Sequence, residues 1–297
     1  MPGPTWIWRP APGWPPPPPG WVPPAGWNPP PSWPPPPPDW QFWMAVDAPV
    51  DTRVVEVRLD EPTRQSLARE TRWVMVAFLL PTVTSAIVPL VQHAEGVSDI
   101  NRFPVVVPGQ ALTNMLLGIL LYTAVGAMVP LTLFLLARTG QSARELGLGF
   151  PSWRTDIVPG IGLAAASFGT EIVLLIPFTP LLMHKSLVVE PTINHVPAYY
   201  VVYALSLSAI TAITEEVMVN GYLLTRLEQL GWSPRRALVL SMVLRTSYHI
   251  YYGLAVFLTI PFAYYVTRSF QRNRRLNRPI AAHFLFDAVL TTIAVLR

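Results

Sequence analysis

Seven apolar stretches follow one another along the C-terminal three quarters of this chain, at 73–91, 111–137, 157–183, 198–229, 236–251, 254–268 and 279–296. A helix needs about 20 apolar residues to cross the hydrocarbon of a bilayer, at about 1.5 Å of rise per residue. The pattern therefore predicts an all-α polytopic membrane protein with about seven transmembrane helices. The second to fourth stretches are long enough to tilt or to project from the membrane. The fifth and sixth are short and nearly continuous.

The charges between the stretches give the orientation. With the N-terminus inside, the inner segments hold Arg53, Arg58, Arg64, Arg69, Arg72, Arg138, Arg144, Arg154, Arg226, Arg235, Arg236, Arg268, Arg272, Arg274, Arg275 and Arg278. The outer segments hold Arg102, Lys185 and the terminal Arg297. Basic residues favour the cytoplasmic side, so the expected arrangement is N-in and C-out, in a multi-pass protein of the cell membrane. Tyrosine-rich patches at 199–203 and 264–265 suit interfacial belts.

Residues 1–43 are a different material. Nineteen of the 35 prolines precede Trp40, and Trp14, Trp21, Trp27, Trp33 and Trp40 punctuate them. Consecutive prolines fix φ and remove amide donors, so this reads as a disordered Pro/Trp-rich low-complexity tail on the cytoplasmic side. Its tryptophans suit docking on a protein partner or on the membrane interface. Residues 44–72 read as a charged cytoplasmic linker. In it Val55, Val57 and Leu59 alternate with charges as in a strand, and Pro62 opens a short helix ending near Arg72. Residues 73–297 form the transmembrane helical domain, with its core at 198–296.

Composition narrows the chemistry. Half of the residues are hydrophobic (51%) and only 13% charged, as suits a membrane protein, and nothing points to nucleic acid. There is no cysteine, which excludes disulfides, thiol nucleophiles and Cys-ligated zinc. All but Lys185 of the 21 basic residues are arginine, suggesting a GC-rich genome.

Against this apolar background the charged positions stand out, because a charge at mid-bilayer costs about 2.5–3.5 kcal/mol on insertion scales. Glu215 and Glu216 lie in the fourth stretch with Asn220, Arg245 and His249 in the fifth, and His283 and Asp287 in the seventh. Residues four apart share a helix face, which pairs Glu216 with Asn220, Arg245 with His249, and His283 with Asp287. One internal cluster would satisfy all three helices. Counted from the inner ends of the stretches, Glu215 lies about 21 Å deep, His249 about 20 Å and His283 about 6 Å. Glu171, in the third stretch, has no motif around it.

Two carboxylates, two imidazoles and an acid, without a Ser or Cys nucleophile among them, suit attack by activated water. One carboxylate with an imidazole deprotonates the water, and a second imidazole holds the developing oxyanion. That scheme requires no cofactor. Glu215, His249 and His283 are also an alternative ligand set for Zn2+. Other hydrolase patterns fail: there is no HExxH, and the Gly-x-Ser at Gly140–Ser142 lies in a predicted loop.

Taken in order, Glu215-Glu216-x-x-x-Asn220, Arg245-x-x-x-His249 and His283-x-x-x-Asp287 resemble the three motifs of the CAAX-protease and bacteriocin-processing (CPBP) family of intramembrane endopeptidases. The Arg144-Glu145-Leu146-Gly147-Leu148 segment resembles the family's loop before its core. The resemblance implies hydrolysis of a peptide bond near the cytoplasmic membrane face, in a peptide or membrane-protein substrate surrounded by lipid. It implies Glu215 as base with His249 assisting, Glu216 as the orienting acid, and His283 with Asp287 at the oxyanion. The family's motif has Arg where this chain has Asn220, and Phe where it has Arg245. The two exchanges together predict that the cation balancing the glutamates has moved from the fourth helix to the fifth. Asp287 replaces a residue that is Asn or Asp in the family, and acts either protonated or by fixing the His283 tautomer. Two other classes use the same residues: a catalytically impaired scaffold or immunity protein, and a proton-coupled transporter.

Overall fold

The computed structural model describes residues 6–12, 14, 15, 23, 24, 26–38, 40–45, 60–95, 111–182 and 200–296. The predicted strand-like piece at Val55–Leu59 and the segments holding Arg102 and Lys185 lie outside them. The chain divides into two units, Met1–Asp60 and Glu61–Arg297.

In the first unit the expected tail disorder gives way, over the described residues, to a small folded cluster. Strand β1 (Trp6–Trp8) pairs antiparallel with β2 (Trp43–Ala45), with Trp8 opposite Trp43. Trp8, Ala11 and Trp14 are buried, and Trp27, Trp33, Trp40 and Phe42 pack on them. The amides of Trp27, Trp33 and Trp40 each donate to the carbonyl of a proline three residues back, so the repeat is a series of turns. The Trp14 indole donates to Pro34 O at 2.7 Å. The physical reason is that large rings supply the apolar area that proline lacks, while proline's fixed φ lowers the entropy lost on ordering.

In the second unit every described segment of the seven predicted stretches is helical or, at 248–258, a tight non-α turn. Helix α1 (Glu61–Ala94) opens with Pro62 in its first turn and runs unbroken through Arg72 into the first stretch. The separate short helix expected before Arg72 is therefore the first turns of α1. Helices α2 (Ala111–Gly126) and α3 (Met128–Ala137) continue one another, and a π-helical turn at Trp153–Ile157 leads into α4 (Val158–Leu182). Helix α5 (Tyr200–Glu215) passes through a π-helical segment, Glu216–Leu223, into α6 (Leu224–Gln229) as one rod. Among the described residues, Leu112–Ala137, Trp153–Pro177 and Val201–Gln229 are long and apolar enough to cross a membrane.

The fifth and sixth stretches differ from expectation. Helix α7 (Pro234–Ser247) ends before His249, and α8 (Thr259–Asn273) begins only after an irregular turn in which Gly253 takes φ 61°. At about 1.5 Å per residue these helices rise roughly 21 and 22 Å, short of the roughly 30 Å of hydrocarbon. They form an antiparallel pair, with Ser241 hydrogen-bonded to Thr267 and Gln271 to Pro234 O. Backbone that leaves the helix at such depth is tolerated where protein covers it. The start of α7 follows its sequence signals: Gly231 at φ 81°, Ser233 as N-cap and Pro234 at the first turn.

Helix α9 (Asn277–Leu296) packs between α4 and α5. Gly160 meets Ala281, and Phe168 stacks on Phe286 at 4.2 Å, so α4 and α9 run the same way. Gly221 meets Leu276 and Glu216 meets His283, so the α5–α6 rod runs opposite to α9. The Arg144–Leu148 loop buries Leu146, whose carbonyl accepts from Leu276 N at 2.9 Å. Gly147 has φ 68°, and a Cβ there would lie 2.5 Å from Arg275 Cα, so this approach requires glycine. Arg275 is held in turn by Asp156 through Nε at 2.7 Å.

Candidate active site

The glutamates sit where the α5 rod changes its winding. Glu215 ends the α-helical part, and Glu216 and Asn220 lie in the π-helical segment. Such turns widen a helix locally and recur at functional sites. All eight residues from Glu216 to Leu223 are buried.

Glu216 is the hub and has no exposed surface. Its Oε2 accepts from Asn220 Nδ2 at 2.6 Å and from an Arg245 nitrogen at 2.9 Å. Its Oε1 lies 2.8 Å from His283 Nδ1. Both oxygens are thus engaged, on three elements of the fold. Burying this carboxylate is tolerable only because charge and hydrogen bonds compensate it.

Glu215 is 8% exposed and differently held. Its Oε2 accepts from the Tyr248 hydroxyl at 2.6 Å and lies 3.8 Å from Arg245. Among the described residues its Oε1 takes no hydrogen bond. One carboxylate is locked and its neighbour keeps a free oxygen.

Arg245, 3% exposed, faces both glutamates. Asn220, where the family motif has Arg, points at the same Glu216 oxygen. Between Glu216 and Asp287 stands His283, whose Nε2 lies 3.5 Å from Asp287 Oδ2. Phe262 packs edge-on to its ring at 5.0 Å.

His249 lies beside this set, and the shared-face pairing with Arg245 is corrected. Because α7 has ended, the His249 Nδ1 is 2.8 Å from the Arg245 carbonyl, while the Arg245 side chain turns to the glutamates. A carbonyl only accepts, so Nδ1 carries the hydrogen, and in the neutral ring the lone pair is on Nε2. The ring stacks on Tyr252 and tilts against Tyr248. Its link to Glu215 runs through the adjacent Tyr248.

The depth spread is also corrected. Glu216 and His283 touch, so His283 is not some 15 Å nearer the inner face, as the stretch ends and the helical rise imply. The α5–α6 rod continues to Gln229, and its last turns belong to a second buried set that displaces the counting origin. There Arg226, without exposed surface, bonds Glu70 at 2.8 Å, Leu135 O at 2.7 Å and Thr139 at 2.7 Å, while Tyr222 donates to Glu70 at 3.0 Å. The sequence places Arg226 as a loop charge. The structure makes it the tie between α1, α3 and α6. Glu171 has a buried Oε1 without a hydrogen bond and does not join either set.

For Zn2+ the fit fails. Among the described residues no three His, Asp or Glu side chains gather as metal ligands. Glu215, His249 and His283 are not brought to one point, and a guanidinium occupies the space between the glutamates where a metal cation would compete. Tyr248, whose hydroxyl donates to Glu215, is a further residue of the site. Its position beside His249 was the available signal.

Apolar helices enclosing a buried acid–base cluster define a membrane-embedded helical protein. Residues 197–289 match the family described as Type II CAAX prenyl endopeptidase Rce1-like. The match covers about a third of the chain and agrees with the resemblance carried by the three motifs. No curated protein and no solved structure matches the chain.

Proposed function

We propose that this protein is an intramembrane endopeptidase that hydrolyses a peptide bond near the cytoplasmic membrane face. The observation that carries the reading is the unlike pair of carboxylates, Glu216 saturated by three partners and Glu215 with one oxygen free. In this reading Glu215 takes the proton of the attacking water, and the lone pair on His249 Nε2 helps to orient that water. Glu216 stays ionised and fixes Arg245 and His283. His283 keeps Nδ1 on Glu216 and turns its Nε2–H, 3.5 Å from Asp287, to the developing oxyanion, while Asp287 acts through that ring by setting its orientation, not on the oxyanion itself. No metal takes part. An N-inside orientation agrees with the arginine distribution, and the α5–α6 rod running opposite to α4 and α9 agrees with successive membrane crossings.

Buried carboxylates paired with Arg245 and His283 are also what a purely structural ion cluster looks like, and that observation favours the second reading, a catalytically impaired scaffold. Purified full-length protein incubated with membrane-protein and peptide substrates separates the two. Cleavage lost in Glu215→Gln and in His249→Ala supports the peptidase. Cleavage that persists in both overturns the residue roles, and none by wild type favours the scaffold.

A further inference from the structure

Two cavities lie between α7 and α8, away from the glutamate cluster and sharing Tyr264 as a wall. The first, about 490 Å³, is lined by Ser233, Pro234, Arg235 and Leu238 of the α7 end and by Arg268 of α8. The second, about 340 Å³, is lined by Met242, Phe257, Ile260 and Pro261, with Leu174 of α4. Along α7 the lining residues step from Arg235 through Leu238 to Met242, and along α8 from Arg268 through Tyr264 to Ile260. Both helices thus go from cationic to apolar in the same spatial direction, because they are antiparallel. At 1.5 Å per residue, about 12 Å separates Arg268 from Ile260.

The charges are also uncommitted. Neighbouring Arg274 and Arg275 are paired with Glu228 and Asp156. Among the described residues Arg235 and Arg268 have no carboxylate partner, and the only side-chain hydrogen bond of Arg268 is to Gln271. Two guanidiniums without a carboxylate partner at the arginine-rich end, above an apolar slot of acyl-chain character, match one kind of molecule. We propose that this groove binds an anionic phospholipid of the surrounding membrane, its phosphate between Arg235 and Arg268 and an acyl chain along Tyr264 towards Met242 and Phe257. Arginine clusters at the membrane face favour anionic headgroups, and the guanidinium fork suits a phosphate. The site does not depend on peptidase chemistry, only on the membrane setting.

The test uses full-length protein, delipidated in detergent and then given equal amounts of phosphatidylglycerol and phosphatidylcholine. Retained lipid is read by native mass spectrometry. Wild type is expected to prefer phosphatidylglycerol by about tenfold. The Arg235→Gln/Arg268→Gln variant is expected to approach parity. Arg236→Gln/Arg272→Gln, at the same face but outside the groove, is expected to keep the preference. Met242→Trp, which fills the apolar slot, is expected to lower retention, and millimolar inorganic phosphate is expected not to displace the lipid. Unchanged melting temperatures show that the variants fold. Parity in wild type, equal loss in the control pair, retention unaffected by Met242→Trp, or full displacement by inorganic phosphate each overturns the proposal.

Discussion

The guanidinium of Arg245 lies 2.9 Å from Glu216 and 3.8 Å from Glu215, so a single cation on α7 serves both carboxylates of the neighbouring rod. Asn220 completes the arrangement from one π-turn away on the rod itself, donating to the Glu216 oxygen that Arg245 also contacts. The two departures from the family motif, Asn220 and Arg245, thus meet at one atom. The geometry brings the cation at position 245 onto both glutamates, as the proposed relocation of the counter-charge requires.

This pairing predicts strong energetic coupling. Removing one partner of a buried ion pair leaves an uncompensated charge and costs about 3–5 kcal/mol. Glu216→Gln and Arg245→Met are each expected to destabilise the protein by about that much. The double variant is expected to lose clearly less than the sum. Unfolding in detergent measured over the four-protein cycle checks this, and additive losses would show that the contact carries no coupling.

Restoring the family arrangement gives a second test. Asn220→Arg alone places a second cation beside Arg245 in a site with no exposed surface and is expected to destabilise. Combined with Arg245→Phe it is expected to recover much of the stability lost by either single change. Expression level and melting temperature are the readouts. A double variant as poor as the sum of the singles would mean that the rod cannot hold the cation from position 220.

Tyr248→Phe removes the hydroxyl donated to Glu215 and leaves the ring in place. A hydrogen bond to a charged group contributes about 1.5–3 kcal/mol, equivalent to roughly a tenfold to hundredfold change in rate. Under the proposed function the loss is expected in kcat, with KM little changed, because Tyr248 holds the base and not the substrate. Steady-state kinetics on a cleaved peptide decide it, and an unchanged kcat would remove Tyr248 from the machinery.

The arrangement of Arg245 among the carboxylates predicts indifference to chelators. Cleavage is expected to be unaffected by EDTA and by 1,10-phenanthroline, and elemental analysis of active protein is expected to find far less than one zinc per chain. Loss of activity with chelator and its return with added zinc would require the glutamates and histidines to regroup.

Gly147→Ala probes the loop that seats α9. It places a Cβ against Arg275 Cα at a left-handed backbone position. The expected cost exceeds about 1 kcal/mol, seen as a lower melting temperature. Gly149→Ala, with open space around it, is the control and is expected to be neutral.

Much of this was legible in the sequence for a physical reason. Hydrocarbon admits few charges, so apolar stretches locate helices, and the exceptions at Glu215, Glu216, Arg245, His283 and Asp287 locate the candidate site. The Pro/Trp repeat misled because composition does not say whether rings will find one another. The end of α7 at Ser247 was invisible because apolar pattern continues through 250–258 while the backbone leaves the helix. Arg226 read as a loop charge because its partners, Glu70 and Thr139, are far away in sequence.

The sequence by itself determined that this is a helical membrane protein with an acid–base set in its last hundred residues, because period and polarity are local properties. Only the tertiary structure decided which carboxylate is locked and which is free, that Arg245 faces both of them, and that His249 stands to one side. Those outcomes depend on the π-turn at Glu216, the early end of α7 and the antiparallel match of the rod with α9. Each is set by packing between distant segments, which no local pattern encodes.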